Sequence, residues 1–295
     1  MQRGRMITGA TQVVGVIGDP VAHSRSPAMH NAAFAAAGLD WVYLAWRVEP
    51  EALPAAVRGL RALGVRGFNV TVPHKVAILP LLDEVGEEAA AIGAVNTVVD
   101  CGGGWRGENT DAEGFLRSLL AFGVDPAGCR AVLLGAGGAA RAVGYALVRG
   151  GAASLHLANR TEGRAHRLAG ALGRWGSTAL SAGGLGGAAL RRMLAGADLV
   201  VNATSTALAG AGVPVPLEWL PPGRVYCDLA YGPAVAPVLE AARQRGLSVL
   251  GGEEMLLHQG ALAFERWTGE KPSLDAMRAA LRQAGEEESL SGPSK

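Results

Sequence analysis

The sequence predicts an α/β fold in two domains, and three observations carry that prediction. At 295 residues the chain exceeds what one compact core commonly holds. Short apolar runs rich in β-branched residues alternate with Ala- and Leu-rich stretches of helical length, a βαβ rhythm that builds mostly parallel sheets covered on both faces. The rhythm breaks at Cys101-Gly102-Gly103-Gly104, which places a domain boundary near residue 110.

The elements follow in order. Strands are expected at residues 13–17, 41–47, 67–70 and 95–99, with a short return at 105–107, before a helix opens at Thr110 or Asp111. Further strands are expected at 130–134, 154–158, 199–202, 224–229 and 248–250, so the strands divide between two sheets. From residue 252 onward the pattern is helical only, at 253–267 and 273–284. Helices without a sheet of their own are expected to pack back on the first domain. The expected domains are therefore 1–110, 111–251 and a helical 252–295. The first ten or so residues and the segment 286–295 are polar and expected to fray.

Composition excludes several classes of function. Lys+Arg 27 against Asp+Glu 26 leaves a formal net charge of +1, too balanced for a nucleic-acid footprint. Cys101, Cys129 and Cys227 are odd in number and far apart, which fits a reducing compartment rather than a disulfide framework or a zinc site. The six histidines lack the spacing with acids that a metal site requires, so no metal is expected. No apolar run reaches membrane length and no signal-peptide core follows the first residues, so a cytoplasmic protein without membrane or nucleic-acid partners is expected. Gly 43 is roughly twice the average share, which implies many tight turns and close backbone approaches.

The first motif with chemistry follows the run Val132-Leu133-Leu134. Gly135-Ala136-Gly137-Gly138-Ala139-Ala140 is G-x-G-x-x-A between a strand and a helix, the context that a Rossmann dinucleotide fingerprint requires. The first glycine permits the turn, the second admits the pyrophosphate, and the third small residue lets helix and strand pack closely. The phosphates then meet free N–H groups at the positive end of the helix. A merely small-residue turn in an alanine-rich chain is the competing account, and the register of strand, turn and helix weighs against it. At the tip of the next strand an NAD enzyme would carry an acid for the ribose diol. Here stand Asn159-Arg160-Thr161, with Arg164 one turn beyond, donors suited to a phosphate, so NADP is expected as the cofactor. Ordinary surface charge remains an alternative for Arg164 more than for Arg160.

Only three of the 27 basic residues are lysines, and Lys75 follows Asn69-Val70-Thr71-Val72-Pro73-His74 at a strand end. An amine can shift its pKa and exchange a proton near neutrality, which a guanidinium cannot. Taken alone, Lys75 would read as a surface lysine.

Five stretches in order change that weighing. They are Gly18-Asp19-Pro20-Val21-Ala22-His23-Ser24-Arg25-Ser26-Pro27 with His30-Asn31; Gly67 to Lys75; Gly93-Ala94-Val95-Asn96-Thr97 with Gly107-Glu108-Asn109-Thr110-Asp111; the glycine turn with Asn159-Arg160-Thr161; and Met255-Leu256-Leu257-His258-Gln259-Gly260-Ala261. Over nearly the whole chain this set resembles the shikimate dehydrogenases, NADP-dependent enzymes of the shikimate pathway. The resemblance implies an amino-terminal substrate domain, a Rossmann-type NADP domain and reversible reduction of 3-dehydroshikimate to shikimate, in the service of aromatic amino-acid biosynthesis.

Carried over residue by residue, it implies that Ser24 and Ser26 hold the substrate carboxylate. Thr71, Asn96 and Gln259 match positions that bond the ring hydroxyls, and Tyr231 matches a substrate-side tyrosine. Lys75 and Asp111 match the catalytic pair. Gly135, Ala136, Gly137, Gly138, Ala139, Asn159, Arg160, Thr161 and Arg164 fall on the cofactor, with Leu229 and Gly252 toward the nicotinamide. For Asp111 a second reading stands beside the first, because Thr110-Asp111-Ala112-Glu113 is also a capping box and an acid suits the first helical turn. His23, His30, His74 and His258 lie inside motifs and are read as lining the site without serving as its main acid or base.

The chain departs from the family pattern on the nicotinamide side. Ala207 stands where Asn202-Ala203-Thr204-Ser205 is usually followed, after one residue, by glycine, and Ala236 stands in place of a usual threonine. Glu87 falls near the site by family position and reads equally as a helix cap. Relatives acting on quinate or aminoshikimate, a silent NADP-binding switch and a methylene-tetrahydrofolate dehydrogenase are the competing functions. The Ser24/Ser26 and Asn159-Arg160-Thr161 patterns favour shikimate with NADP. A monomer or homodimer is expected, with the site in a groove between domains that close over both ligands.

Overall fold

The computed structural model describes residues 6–204, 206 and 212–291, with side chains described as far as 288. The chain divides into two compact units, Met1–Thr110 with Gln259–Lys295, and Asp111–His258. The second crossing thus falls at 258/259, inside a helix, rather than at the strand end near 251.

The first unit opens with β1 (Gln12–Gly18), α1 (Ser26–Ala37), β2 (Trp41–Arg47), α2 (Leu53–Ala62) and β3 (Gly67–Val70). It continues through β4 (Glu84–Val85), α3 (Glu87–Ile92), β5 (Thr97–Asp100) and β6 (Trp105–Glu108). The strand order is β2-β1-β3-β5-β6-β4, and β5 runs antiparallel to both β3 and β6. The sheet is mostly parallel, as expected, with β5 alone reversed. The Gly102–Gly104 stretch, with Gly102 at φ 76°, is short enough to close a hairpin, and a hairpin forces antiparallel pairing. One face of the sheet packs Ile17, Phe68, Val98 and Trp105 against Val57 and Leu60 of α2.

The second unit comprises α4 (Asp111–Ala121), β7 (Arg130–Leu134), α5 (Gly138–Arg149), β8 (Ser154–Ala158), α6 (Glu162–Leu172), β9 (Ala179–Gly183) and α7 (Gly187–Gly196). It then runs through β10 (Leu199–Asn202), β11 (Val225–Asp228), α8 (Ala236–Gln244) and β12 (Ser248–Leu250) into α9 (Gly252–Thr268). Its sheet is parallel throughout in the order β12-β11-β10-β7-β8-β9, the doubly wound Rossmann arrangement with its switch between β7 and β10. Val132, Leu134, Val200, Tyr226 and Leu239 form a core on one side of it. β4 and β9 carry no strand signal in the sequence. β4 spans two residues, and β9 is an edge strand of small side chains, Ala-Leu-Ser-Ala-Gly, with none buried.

The last helix, α10 (Leu274–Ser291), belongs with the first unit and packs on α1. It runs well past residue 284, the end expected from the sequence, so 286–291 are helical where fraying was expected, and 292–295 lie outside the described residues. Glu288 explains the extra turns, since its carboxylate accepts from Nε and Nη2 of the buried Arg25 at 3.2 and 2.8 Å. The carboxyl-terminal half of α9 covers the other sheet face: Phe264 stacks on Phe34, and Trp267 Nε1 donates to the Val98 carbonyl at 3.0 Å. At the amino end the Thr11 hydroxyl donates to Asp40 at 3.0 Å, which ties that segment down close to β1. Among the described residues no helix is long and apolar enough to cross a membrane.

Candidate functional site

In the first unit the polar motif residues gather where β1, β3 and β5 meet α1 and α9. Ser24 and Ser26 flank the start of α1. Pro27 in its first turn suits a helix start, and the Ser24 hydroxyl accepts from the Ser26 N–H at 3.3 Å. The Pro27 ring has no N–H and the Ser26 N–H is taken by Ser24, so the two serine hydroxyls are the donors that this end offers an anion. Arg25, between the serines, is buried and turned onto Glu288.

Asn96 is the hub of the set. Its side-chain N–H groups reach Thr110 Oγ1 at 2.9 Å and Gln259 Oε1 at 3.3 Å, and its oxygen accepts from the Thr110 amide at 2.7 Å and the Thr97 hydroxyl at 3.0 Å. Asn69 continues the network, donating to the Asn96 carbonyl and to Thr97 Oγ1, both at 3.1 Å, and accepting from Tyr43 Oη at 2.7 Å. All of these groups are buried, so each bond works in a medium where an unmade one is costly. Thr71 and Lys75 lie on the turn after β3, both half-buried, and the Lys75 carbonyl accepts from Val95 N–H at 2.8 Å. The turn is held from below by His74, whose Nε2 lies 2.7 Å from the Val48 carbonyl.

Two of the histidines read as site-lining belong to the core instead. His74 is spent on Val48, and His30 is fully buried and stacked on Tyr43 with ring centroids 4.4 Å apart. Desolvation lowers the pKa of His30 to about 3, so the ring is neutral. Asn31 beside it bonds both backbone groups of Tyr43, at 2.8 and 3.0 Å, which pins α1 to β2. Exposed His23 sits ahead of Ser24, and half-buried His258 faces Glu254 one turn back on α9 at 3.9 Å. Glu87 is exposed in the first turn of α3, where its charge suits the helix dipole.

In the second unit β7 delivers the chain into Gly135, whose φ of 115° only glycine adopts freely. A Cβ there would also stand 3.0 Å from the Ala203 carbonyl oxygen. Gly137 caps α5 in extended conformation, and a Cβ on it would meet no atom within 4 Å, so the space beside the turn is open. Gly138 and Ala139 begin the helix. These residues fit a pyrophosphate. The edge of the turn is basic. Arg164 Nη2 donates to the Ala136 carbonyl at 3.4 Å, and burial with the Arg164 charge lowers the pKa of Arg141, a residue that no sequence motif singles out. Both basic side chains lie on this edge of the turn, which suits an anion beside it. Asn159 bridges to the Thr161 carbonyl at 3.0 Å, while Arg160 and Thr161 are exposed at the strand tip.

At the carboxyl ends of β10 and β11 lie Asn202, Asp228, Leu229 and half-buried Tyr231. Gly252 opens α9 directly beneath Leu229: a Cβ on it would lie 2.8 Å from the Ala230 oxygen. Ala236 is exposed at the start of α8, and Ala207 lies outside the described residues. Asp111, buried, is the first residue of α4, so it belongs to the second unit and Lys75 to the first. In the expected capping box the Thr110 hydroxyl meets Asn96 and Thr97, and Glu113 pairs with Arg117 at 2.8 Å.

Comparison with known proteins matches three family models along the chain. A shikimate dehydrogenase substrate-binding domain covers residues 16–98, a shikimate / quinate 5-dehydrogenase model 120–209, and a shikimate 5'-dehydrogenase C-terminal domain 252–282. Shikimate dehydrogenase (NADP(+)) of Moorella thermoacetica is 52% identical over 280 residues, 94% of this chain and 95% of its own. The enzyme of the same name from Rubrobacter xylanophilus is 51% identical over 289 residues, 95% and 98% of the two chains. The crystal structure of shikimate 5-dehydrogenase from Thermus thermophilus in complex with NADP(H) and shikimate superimposes with a TM-score of 0.83 at 41% identity, covering 93% of this chain and all (100%) of that one.

Proposed function

The chain belongs to the shikimate dehydrogenase family, and on that premise we propose that it catalyses the reversible NADP-linked interconversion of 3-dehydroshikimate and shikimate. The observation that supports the reading most is the coexistence of a complete Rossmann glycine turn in one unit with the Asn69–Asn96–Thr97–Gln259 network and Lys75 in the other.

The nicotinamide supplies or accepts the hydride when NADP is bound. The remaining work falls to this chain. Lys75 donates a proton to the carbonyl oxygen as it is reduced and takes it back from the hydroxyl in the reverse direction, with Asp111 as the second member of the pair. Ser24 and Ser26 hold the carboxylate. Thr71, Asn96 and Gln259 bond the ring hydroxyls. The Asn96–Gln259 bond, at 3.3 Å longer than the 2.9 Å bond from Asn96 to Thr110, is the one of the two that a substrate hydroxyl would replace with less loss. Tyr231 contributes from the loop after β11.

Gly135, Ala136, Gly137, Gly138 and Ala139 receive the pyrophosphate, and Asn159, Arg160, Thr161 and Arg164 receive the 2′-phosphate that distinguishes NADP. Leu229 and Gly252 shape the nicotinamide end. Residues 1–110 with the carboxy-terminal helices form the substrate domain, and the unit beginning at Asp111 is the NADP domain. We place the protein in the cytoplasm, as a monomer or homodimer without metal.

The deciding experiment is a spectrophotometric assay of cofactor reduction crossing shikimate and quinate against NADP and NAD. Reduction with shikimate and NADP alone is expected. A preference for quinate or NAD refutes the specificity, and silence in all four combinations with intact NADP binding makes the chain a binding protein instead.

A further inference from the structure

The second unit buries a polar cluster that none of the roles above uses. Asp228, at the last position of β11, has no exposed surface, nor has Asn202 at the matching position of β10. Asp228 Oδ2 accepts from Asn202 Nδ2 and from Tyr226 Oη, both at 2.8 Å, while Oδ1 accepts from the Ala230 N–H at 3.0 Å. The Asn202 oxygen turns the other way and accepts from the Thr204 N–H at 3.1 Å and the Thr204 hydroxyl at 2.6 Å. The chain of bonds therefore runs from the loop after β10, through two buried side chains, to the loop after β11.

Both loops touch the cofactor half of the site. The Ala203 carbonyl stands where a Cβ on Gly135 would meet it at 3.0 Å, so the Ala203–Thr204 backbone sets the space beside the pyrophosphate turn. The Leu229–Ala230 backbone lies against Gly252 so closely that a Cβ there would fall 2.7 Å from the Leu229 carbonyl carbon. A carboxylate wholly out of water is costly unless its oxygens are bonded, and an apolar residue of similar size would pack this strand end without that cost. Packing alone therefore does not account for its presence, whereas fixing two loops does.

We propose that Asp228, with Asn202 and Tyr226, is a positioning clasp that holds the Ala203–Thr204 and Leu229–Ala230 segments at the carboxyl ends of β10 and β11 where they receive NADP. The inference rests on the cofactor reading given above. Asp228 need touch neither ligand. An amide in its place has one oxygen where the carboxylate has two, so whichever way it turns an N–H faces the donor of Asn202 or of Ala230, and one side of the clasp breaks with almost no change of volume.

The test compares wild type, Asp228→Asn and Tyr226→Phe by titration calorimetry with NADP, alongside the KM for shikimate at saturating cofactor. The Kd for NADP is expected to rise about tenfold in Asp228→Asn and about threefold in Tyr226→Phe, on the scale of one or two buried hydrogen bonds. The KM for shikimate should stay within about twofold, a split that general destabilisation would not produce. A Kd unchanged in folded Asp228→Asn overturns the clasp, as does a KM for shikimate that rises in parallel. If Asp228→Asn does not fold, Tyr226→Phe decides on the same criteria. Failure of wild type itself to bind NADP would strike the cofactor reading, and is thereby distinguished from failure of the clasp.

Discussion

Replacing His30 with phenylalanine should remove a component of acid sensitivity from the protein's stability. The ring is fully buried against Tyr43, Phe34 and Trp267, and neither of its nitrogens has a hydrogen-bond partner among the described residues. Burial lowers its pKa from 6.5 to about 3. A histidine whose folded pKa lies below its unfolded one contributes fully above pH 6.5, and that contribution is lost as pH falls toward 3, because the unfolded chain takes the proton that the core refuses. With these two values the unfolded state is favoured by about 0.2 kcal/mol at pH 7, about 0.8 at pH 6 and about 2 at pH 5. Phenylalanine has nothing to protonate. The other five histidines are common to both proteins and cancel in the difference. Urea unfolding of wild type and His30→Phe at pH 7, 6 and 5 should therefore show wild type losing about 2 kcal/mol more across that window. In a packed core the larger ring costs some stability at every pH, but a constant cost leaves the difference in slope intact. Equal slopes would mean that the buried ring takes up its proton in the folded state, and would refute the reasoning.

Four further substitutions examine the site. Lys75→Met should lower kcat by roughly 10²- to 10⁴-fold while calorimetry still shows shikimate binding, and a loss below about tenfold would remove Lys75 as the proton donor. Asp111→Asn should cut turnover far more than melting temperature; a large drop in melting temperature with normal turnover would leave Asp111 only a helix-start residue. Arg160→Ala should lower kcat/KM about tenfold with NADP and leave the NAD reaction unchanged, whereas equal losses with both cofactors would show that Arg160 does not read the 2′-phosphate. Gly252→Ala places a Cβ 2.7 Å from the Leu229 carbonyl carbon, so a loss of about 1–3 kcal/mol in denaturant unfolding is expected, and an unchanged midpoint would show that the loop after β11 yields freely.

The second sheet is legible in the sequence because its strands are continuous apolar runs such as Val132-Leu133-Leu134 and Leu199-Val200-Val201, which only a strand covered on both faces explains. β9 is not, because an edge strand of Ala, Ser and Gly buries too little to leave a pattern. The antiparallel turn of the first sheet escapes for another reason: strand direction is set by the connection, and Gly102-Gly103-Gly104 looks like a boundary when it closes a hairpin. The motif residues are legible as a set, but their partners are not, since the Asn96–Gln259 bond spans 163 positions and leaves no local trace.

The motifs also mix two kinds of residue that a single sequence cannot separate. His30 and Asn31 stand beside Ser24 and Ser26 in one stretch, yet Asn31 spends its amide on the Tyr43 backbone and His30 packs its ring on Tyr43, so both serve the fold. Tyr43 in turn donates to Asn69, and Asn69 holds Asn96 and Thr97. The packing residues of the first motif are thus linked through Tyr43 and Asn69 to the polar hub of the third. An error at His30 or Asn31 would reach the site by displacing Tyr43, and would read in an assay like the loss of a substrate contact. For that reason a fall in activity on mutating a motif residue assigns a role only when a direct binding measurement and an unfolding curve accompany it: Asn31→Ala should move stability and substrate binding together, whereas Lys75→Met should move neither and still lower kcat by the factor given above.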